Sequence, residues 1–300
     1  MTKPVVNVAI ALLFHQTKVL VGWRAAAQHQ GNKYEFPGGK VEHGETPEQA
    51  CRREVFEEVG IGVQDWHIFD VICHEYDDII VNLHVFHGQV NAENLENIQS
   101  PWTWYTRDQL TKLNFPKANQ AIVERLFWQH FIKISAHIQE IETLNPEYLM
   151  YWRVDELHVE DLQFLMHLDP TKLARLVVNV DLWHKLPEQI KTQIFTVHFK
   201  QSQVMQAQRH DLNIGVRCIA ACHDLLSLQK AQHLGFEAVL LSPVLHTATH
   251  PENNALGWEN FVLWAKDCAV PVFALGGLKP EDLAIAQQYC AYGVAGIRAF

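Results

Sequence analysis

The feature that most constrains the fold is a change of rhythm near residue 130. Beyond it, short apolar runs recur at 131–135, 148–153, 176–180, 194–198, 214–218, 238–244, 270–275 and 293–297. Amphipathic stretches at 224–233, 258–267 and 280–289 lie between the later ones. Parallel strands need long crossover connections, usually helical, so a chain that alternates strand and helix builds a parallel sheet. Eight such strands in succession predict closure into a (β/α)8 barrel. About 170 residues are few for that architecture, so some of its helices must be short.

Residues 1–129 read differently. Strand-like runs at 5–14 and 18–23 flank the turn-prone His15-Gln16-Thr17, and one strongly marked helix follows. Further strands at 71–73 and 79–86 surround the turn Tyr76-Asp77-Asp78, then come an aromatic run at 102–105 and a last helix at 118–129. This mixture predicts an α+β sandwich. A chain of 300 residues, 48% of them hydrophobic, holds material for more than one core. Two domains are expected, 1–129 and 130–300, joined without a Pro/Gly-rich linker.

The marked helix carries the chemistry. Gly39 is followed after five residues by Glu45, and seven residues later by Arg53-Glu54-Val55; Glu57-Glu58 and Gly60-Ile61 complete the run. Thr46 suits an N-cap, Pro47 a first helical position and Gly60 a stop. At 100° per residue, Glu54, Glu57 and Glu58 share an arc of roughly 100°. Val55, Phe56 and Val59 are expected on the other side, against a core. Like charges at these spacings repel by a few tenths of a kcal/mol per pair, and a bound cation removes that repulsion. Hard oxygen ligands suit Mg²⁺, with Mn²⁺ a second candidate. Arg53, four residues before Glu57, is placed to orient a carboxylate. A solvated acidic helix face is the plain alternative, but it does not call for the flanking Gly, Glu, Arg and Gly at fixed intervals.

Charge and cysteine usage narrow the partners. The formal net charge is −10 with histidine neutral, whereas a polymer of nucleic acid is gripped by excess Lys and Arg. Free nucleotides are therefore the expected nucleotide class, not a nucleic-acid polymer. Cys51, Cys73, Cys218, Cys222, Cys268 and Cys290 are spread along the chain without a CxxC pair, which fits reduced thiols. The apolar run at 5–14 is too short to span a bilayer, so no membrane association and a cytoplasmic location are expected.

Residues 39–61 resemble the Nudix box at every defined position, and Tyr34-Glu35-Phe36-Pro37-Gly38-Gly39-Lys40 resembles the entry segment of the MutT type within that family. Phe115-Pro116-Lys117-Ala118-Asn119 is similar to the segment before that type's last helix. The resemblance implies an α/β/α Nudix sandwich with Mg²⁺-dependent hydrolysis of 8-oxo-dGTP to the monophosphate and pyrophosphate, which cleans oxidised purine nucleotides from the precursor pool. It implies Glu54, Glu57 and Glu58 as catalytic metal ligands with Arg53 beside them, and the Gly38 carbonyl as another ligand. One further carboxylate is implied from a later loop, Glu96 or, alternatively, Glu93. Arg24, Phe36, Lys40, Asp78 and Asn119 become candidate substrate contacts. An amide offers a donor and an acceptor side by side, which suits Asn119 to reading a base; helix starts also favour Asn. Phe36 fits either the base site or the core, and Glu45 fits a loop brace.

The second half resembles thiamine-phosphate synthase and TenI-type tautomerases, mainly over 214–300. The matching residues are Ser242-Pro243-Val244, His246-Thr247-Ala248-Thr249, Ala274-Leu275-Gly276-Gly277 and Gly293-Val294-Ala295-Gly296. A TIM-barrel-like fold is implied, with Arg153, His223, Thr247, Thr249, Gly276 and Gly277 as candidate contacts to a thiamine-related phosphate. The glycines either cradle an anion or simply turn the chain, and His223 is either an acid/base residue or structural. Departures are specific. His250 stands where synthases have lysine, Val180 follows Asn179 where they have aspartate, Gln203 replaces a second aspartate, and Asp155 replaces the lysine after Arg153. Without those aspartates a diphosphate substrate loses its Mg²⁺ ligands. The expected barrel binds a ligand or regulates; the alternatives are a bifunctional or thiamine-pathway enzyme, or hydrolysis of thiamine-pathway diphosphates.

Overall fold

The computed structural model describes residues 3–24, 26, 31–212, 214–246 and 255–300. The chain separates into two compact units, Met1–Trp128 and Gln129–Phe300.

In the first unit, Val5–His15 (β1), Lys18–Arg24 (β2), Lys33–Glu35 (β3), Gly38–Lys40 (β4), His67–Glu75 (β5), Ile80–Gln89 (β6) and Thr103–Tyr105 (β7) form a mixed sheet. Its order is β3-β2-β1-β6-β5, with β4 paired to β1 and β7 to β2. The longest pairing is parallel, β1 with β6, from Val5 opposite Ile80 to Phe14 opposite Gln89. Alternation along β1 sends successive side chains to opposite faces. Ala9, Ala11 and Leu13 share a core with Ala50, Cys51, Val55 and Val59 of the helix Pro47–Val59 (α1). Ile10, Leu12 and Phe14 are buried as well. The Arg107 guanidinium of Arg107–Leu110 (α2) lies 4.7 Å from the Phe14 ring centre, and Arg125 of Gln120–Leu126 (α3) lies 4.0 Å from that of Phe69. Helices thus cover both sheet faces, the three-layer sandwich the sequence implies.

Two expectations need correcting here. Phe56 is 68% exposed, not part of the core. The buried stripe runs through Cys51, Val55 and Val59 at steps of four, and one residue past Val55 turns about 100° away from it. The last helix spans Gln120–Leu126, because the backbone at Phe127 becomes extended (ψ 134°).

The second unit is a closed all-parallel barrel of eight strands: Phe131–Ser135 (β8), Tyr148–Trp152 (β9), Leu176–Asn179 (β10), Thr196–Phe199 (β11), Arg217–Cys222 (β12), Ala238–Leu241 (β13), Val272–Leu275 (β14) and Gly293–Gly296 (β15). Strand β15 closes on β8 with Val294 opposite Phe131. Compactness comes from short connections: a 3-10 turn, Ile138–Glu142, stands where a first crossover helix would, and Leu283–Gln288 has six residues. The strand expected at 214–218 begins later. Gly215 is a turn at φ 83°, Ile214 is 55% exposed, and the pairing with β11 starts at Arg217. Among the described residues no helix is long and apolar enough to cross a membrane. None of the six cysteines is in a disulfide, and Cys51, Cys218, Cys222 and Cys268 are buried.

Candidate active site

Helix α1 begins where the sequence places it. The Thr46 side chain accepts a hydrogen bond from the Gln49 N–H, and the Gln49 side chain accepts one from the Thr46 N–H. Gly60 ends the helix in the left-handed region at φ 78°. The adjacent strand β4 is held against β1 by pairing of Gly38 with Ile10 and Gly39 with Ala9. A Cβ at Gly39 would overlap the Glu54 carboxylate, so the glycine leaves room for that carboxylate where it now lies.

Arg53 is the hub of the cluster. Its Nη2 donates to Glu45 Oε1 at 2.8 Å and to the Lys40 carbonyl at 3.2 Å. Its Nη1 donates to Glu54 Oε1 at 2.8 Å and Glu57 Oε2 at 3.2 Å. One planar fork therefore sets three carboxylates and the strand β4 loop, a task suited to guanidinium and not to an ammonium. Arg53 holds Glu45 below the usual carboxylate range, helped by the Glu42 N–H that donates to Glu45 at 2.7 Å. Glu45 is thus a brace for the loop.

Glu58 faces a different partner, accepting from the Gly38 N–H at 3.0 Å. Loss of hydration around its carboxyl pushes Glu58 up to about 7, although residue 58 as a whole lies at the surface. The Gly38 N–H and Arg24 oppose the rise, and the charges of Glu54 and Glu35 add to it. Arg24 itself is ion-paired with Glu35.

The donor chemistry of Glu54, Glu57 and Glu58 fits a hard divalent cation. As they stand, these side chains do not converge: among the described residues no three His, Cys, Asp or Glu side chains are set to hold a metal. Arg53 and the Gly38 N–H engage one oxygen of each of these three carboxylates. Glu93 and Glu96 lie on the exposed 3-10 turn Ala92–Asn97. That turn is in the neighbourhood of α1, since Leu95 and Ile98 pack on its core and Trp102 Nε1 donates to the Glu58 carbonyl at 2.8 Å.

The candidate substrate residues are scattered around this centre. Phe36 is 3% exposed and stacks on Phe115 at 4.8 Å, a core position. Asn119 is 7% exposed at the head of α3, yet its side chain makes no cap hydrogen bond to the helix. Lys40 and Asp78 are exposed, Asp78 in the bend between β5 and β6.

In the barrel, a cavity of about 400 Å³ opens among the carboxyl ends of the strands. Arg153 and His223 line it as the sequence suggests. His223 Nδ1 lies 2.9 Å from the Ser242 carbonyl and 3.1 Å from its Oγ. Gly276 and Gly277 follow β14, where added Cβ atoms would come within 2.9 Å of Pro243 and of the His246 carbonyl. They are needed for close packing of neighbouring loops. Thr247 and Thr249, with His250, lie outside the described residues. Sequence reasoning missed Tyr151, His198, Lys200 and Ser242, which line the same cavity. Their shared signal is position: each lies at or next to the carboxyl end of a barrel strand, where ligands bind.

A Mg²⁺ site of the synthase kind does not fit this barrel. Asn179 and Gln203 offer neutral amides, and they hydrogen-bond one another at 2.8 Å.

Comparison with known proteins divides along the same line. The NUDIX domain family model matches residues 8–125, and that of thiamine monophosphate synthase matches 174–300, which extends the likeness back from 214. The 8-oxo-dGTP diphosphatase of Escherichia coli (strain K12) is 34% identical over 122 residues, covering 40% of this chain and 95% of that protein. The CTP pyrophosphohydrolase of the same strain is 34% identical over 92 residues, covering 29% and 68%. A putative thiamine-phosphate synthase 2 of Aquifex aeolicus (strain VF5) is 34% identical over 80 residues, covering 27% of this chain and 43% of that protein.

Proposed function

This chain belongs to the Nudix hydrolase family, as a MutT-type nucleotide diphosphatase fused to a thiamine-phosphate-synthase-like barrel, and from that premise we propose that it hydrolyses 8-oxo-dGTP with Mg²⁺. The observation that carries this is the α1 cluster beside Gly38–Lys40, in which Arg53 holds Glu54 and Glu57 and the Gly38 N–H holds Glu58. Hydrolysis belongs to residues 1–129 and ligand binding to residues 130–300.

Bound Mg²⁺ supplies charge neutralisation for the triphosphate and makes water easier to deprotonate. The chain does the rest. Glu54, Glu57 and Glu58 would hold the ion, joined by the Gly38 carbonyl and by Glu96 or Glu93. Arg53 fixes the angle of Glu54 and Glu57, and Glu45 fixes Arg53. Arg24 and Lys40 provide positive charge for the phosphates. Water adds at the β-phosphorus and the α–β bridging bond breaks, leaving the nucleoside monophosphate and pyrophosphate.

Base identity rests on Asn119. Its amide is buried and not spent on capping α3, which supports a role in reading the oxidised purine. Phe36 and Asp78 complete the proposed base site, Phe36 as part of its wall. The test is Asn119→Ala. Selectivity for 8-oxo-dGTP over dGTP is expected to fall at least about tenfold, as when a buried polar partner is lost. Unchanged selectivity would remove the assignment, and preference for CTP would redirect it to the pyrimidine class.

For the barrel, we propose a module that binds a thiamine-related phosphate without synthase activity. The amides at positions 179 and 203 support loss of the chemistry, and the cavity supports retention of binding.

A further inference from the structure

We infer that the barrel takes its anionic ligand without a metal, with the Lys200 ammonium as the built-in cation and the Asn179–Gln203 amides closing the place from which a metal would be held. The inference rests on the ligand-binding reading of the barrel and adds its charge mechanism and ligand class.

The amide cluster is saturated from within. Asn179 Nδ2 donates to the His198 carbonyl at 3.2 Å and to Gln203 Oε1 at 2.8 Å. Asn179 Oδ1 accepts from the Asp181 N–H at 3.1 Å, and Gln203 Oε1 accepts from the Lys200 N–H at 2.7 Å. The carboxylate in this cluster, Asp181, accepts from Gln203 Nε2 at 2.8 Å. A divalent cation needs hard anionic oxygens with lone pairs to spare, and these oxygens are engaged with N–H donors.

Positive charge enters instead from Lys200, one residue past β11, and Arg153, one residue past β9. Both line the cavity. The Lys200 ammonium is 2.8 Å from Asp155 Oδ1, in a pair whose aspartate is 87% exposed. Exposed ion pairs are weak, so a phosphate entering the mouth displaces Asp155 at little cost.

Deeper in, the chemistry changes. The Tyr151 and His198 rings lie 4.3 Å apart, inclined by 30°, beside apolar walls from Ile134, Ala221 and Leu240. His198 is 4% exposed and its Nδ1 has no hydrogen-bond partner. A buried polar atom left unpaired is costly, which disfavours any charge on this ring. Burial, with the charges of Lys200, Arg153 and His223 beyond it, pushes His198 down to about 3, so the ring that meets the ligand is neutral. A flat heteroaromatic body with a phosphate tail satisfies both levels.

The test is calorimetric titration of the full chain with thiamine monophosphate, in EDTA and in Mg²⁺. This probe has no phosphoanhydride bond for the hydrolase unit to cleave. Affinity is expected to agree within about twofold between the two conditions, to fall at least about tenfold in Lys200→Met, and to be largely kept in Lys200→Arg. Binding that needs Mg²⁺, or that ignores Lys200→Met, overturns the metal-free mechanism while leaving a ligand-binding barrel. No binding up to about 1 mM in either condition overturns both.

Discussion

In the amino-terminal unit the reactive side chains come from one turn-and-helix segment, and they are acidic. In the barrel they come from the ends of separate strands, and the mouth carries Arg153 and Lys200, the latter paired with exposed Asp155. Glu45, Arg53, Glu54, Glu57 and Glu58 lie within fourteen residues of one another, so their spacing is their geometry. Tyr151, His198, His223 and Ser242 share a cavity only because the barrel closes. The difference teaches how each site would meet phosphate under the proposed function. The helix site presents like charges that a cation must reconcile, whereas the barrel mouth presents cations of its own.

The sharpest way to break this contrast is Glu57→Gln. Triphosphate hydrolysis is expected to fall about a thousandfold, roughly 4 kcal/mol of barrier, because a proposed metal ligand on the acidic face is lost. Barrel ligand affinity should be unchanged in the same protein. A loss at both sites would mean that they are not chemically separate.

A smaller effect is expected from Arg53→Ala. Arg53 positions Glu54 and Glu57 and does not itself reach the reacting atoms, so kcat should drop about 10- to 100-fold. Excess Mg²⁺ should recover part of the loss, and Arg53→Lys should recover little, since an ammonium cannot span three carboxylates. Rescue by lysine would reduce the arginine to a point charge.

The barrel has its own pH signature. His198 has its folded value lowered from the ordinary 6.5, so the native state binds fewer protons than the unfolded chain between those values. Its contribution is present above about 6.5 and is lost as pH falls toward about 3, with a slope of at most about 1.4 kcal/mol per pH unit from this one group. Urea denaturation across that range should show a shallower acid dependence in His198→Phe than in the wild type. An identical dependence would deny His198 its buried, neutral role.

These contrasts also explain what was legible beforehand. The α1 start at Thr46-Pro47 and stop at Gly60 were readable because capping is local, and the barrel because eight apolar runs repeat. Phe56 was misplaced since two adjacent apolar residues cannot both face one narrow core stripe, and periodicity alone does not say which turns outward. Strand β12 was set too early because Ile214 and Val216 look strand-like while Gly215 turns the chain. The hub role of Arg53 was underestimated: spacing along α1 ties it to Glu57, but Glu45 and Lys40 reach it only through the fold. Lys200 was invisible as a ligand contact for the same reason. It sits beside Arg153 and Asp155 only when β9 and β11 flank the same mouth.

The most direct measurement is phosphorus NMR of 8-oxo-dGTP turnover by the full chain, with Mg²⁺ and with EDTA. Monophosphate and pyrophosphate should appear together in Mg²⁺ and fail to appear in EDTA. Turnover that persists in EDTA, or orthophosphate as the primary product, would contradict a metal-gripping glutamate helix that cuts between the α- and β-phosphates.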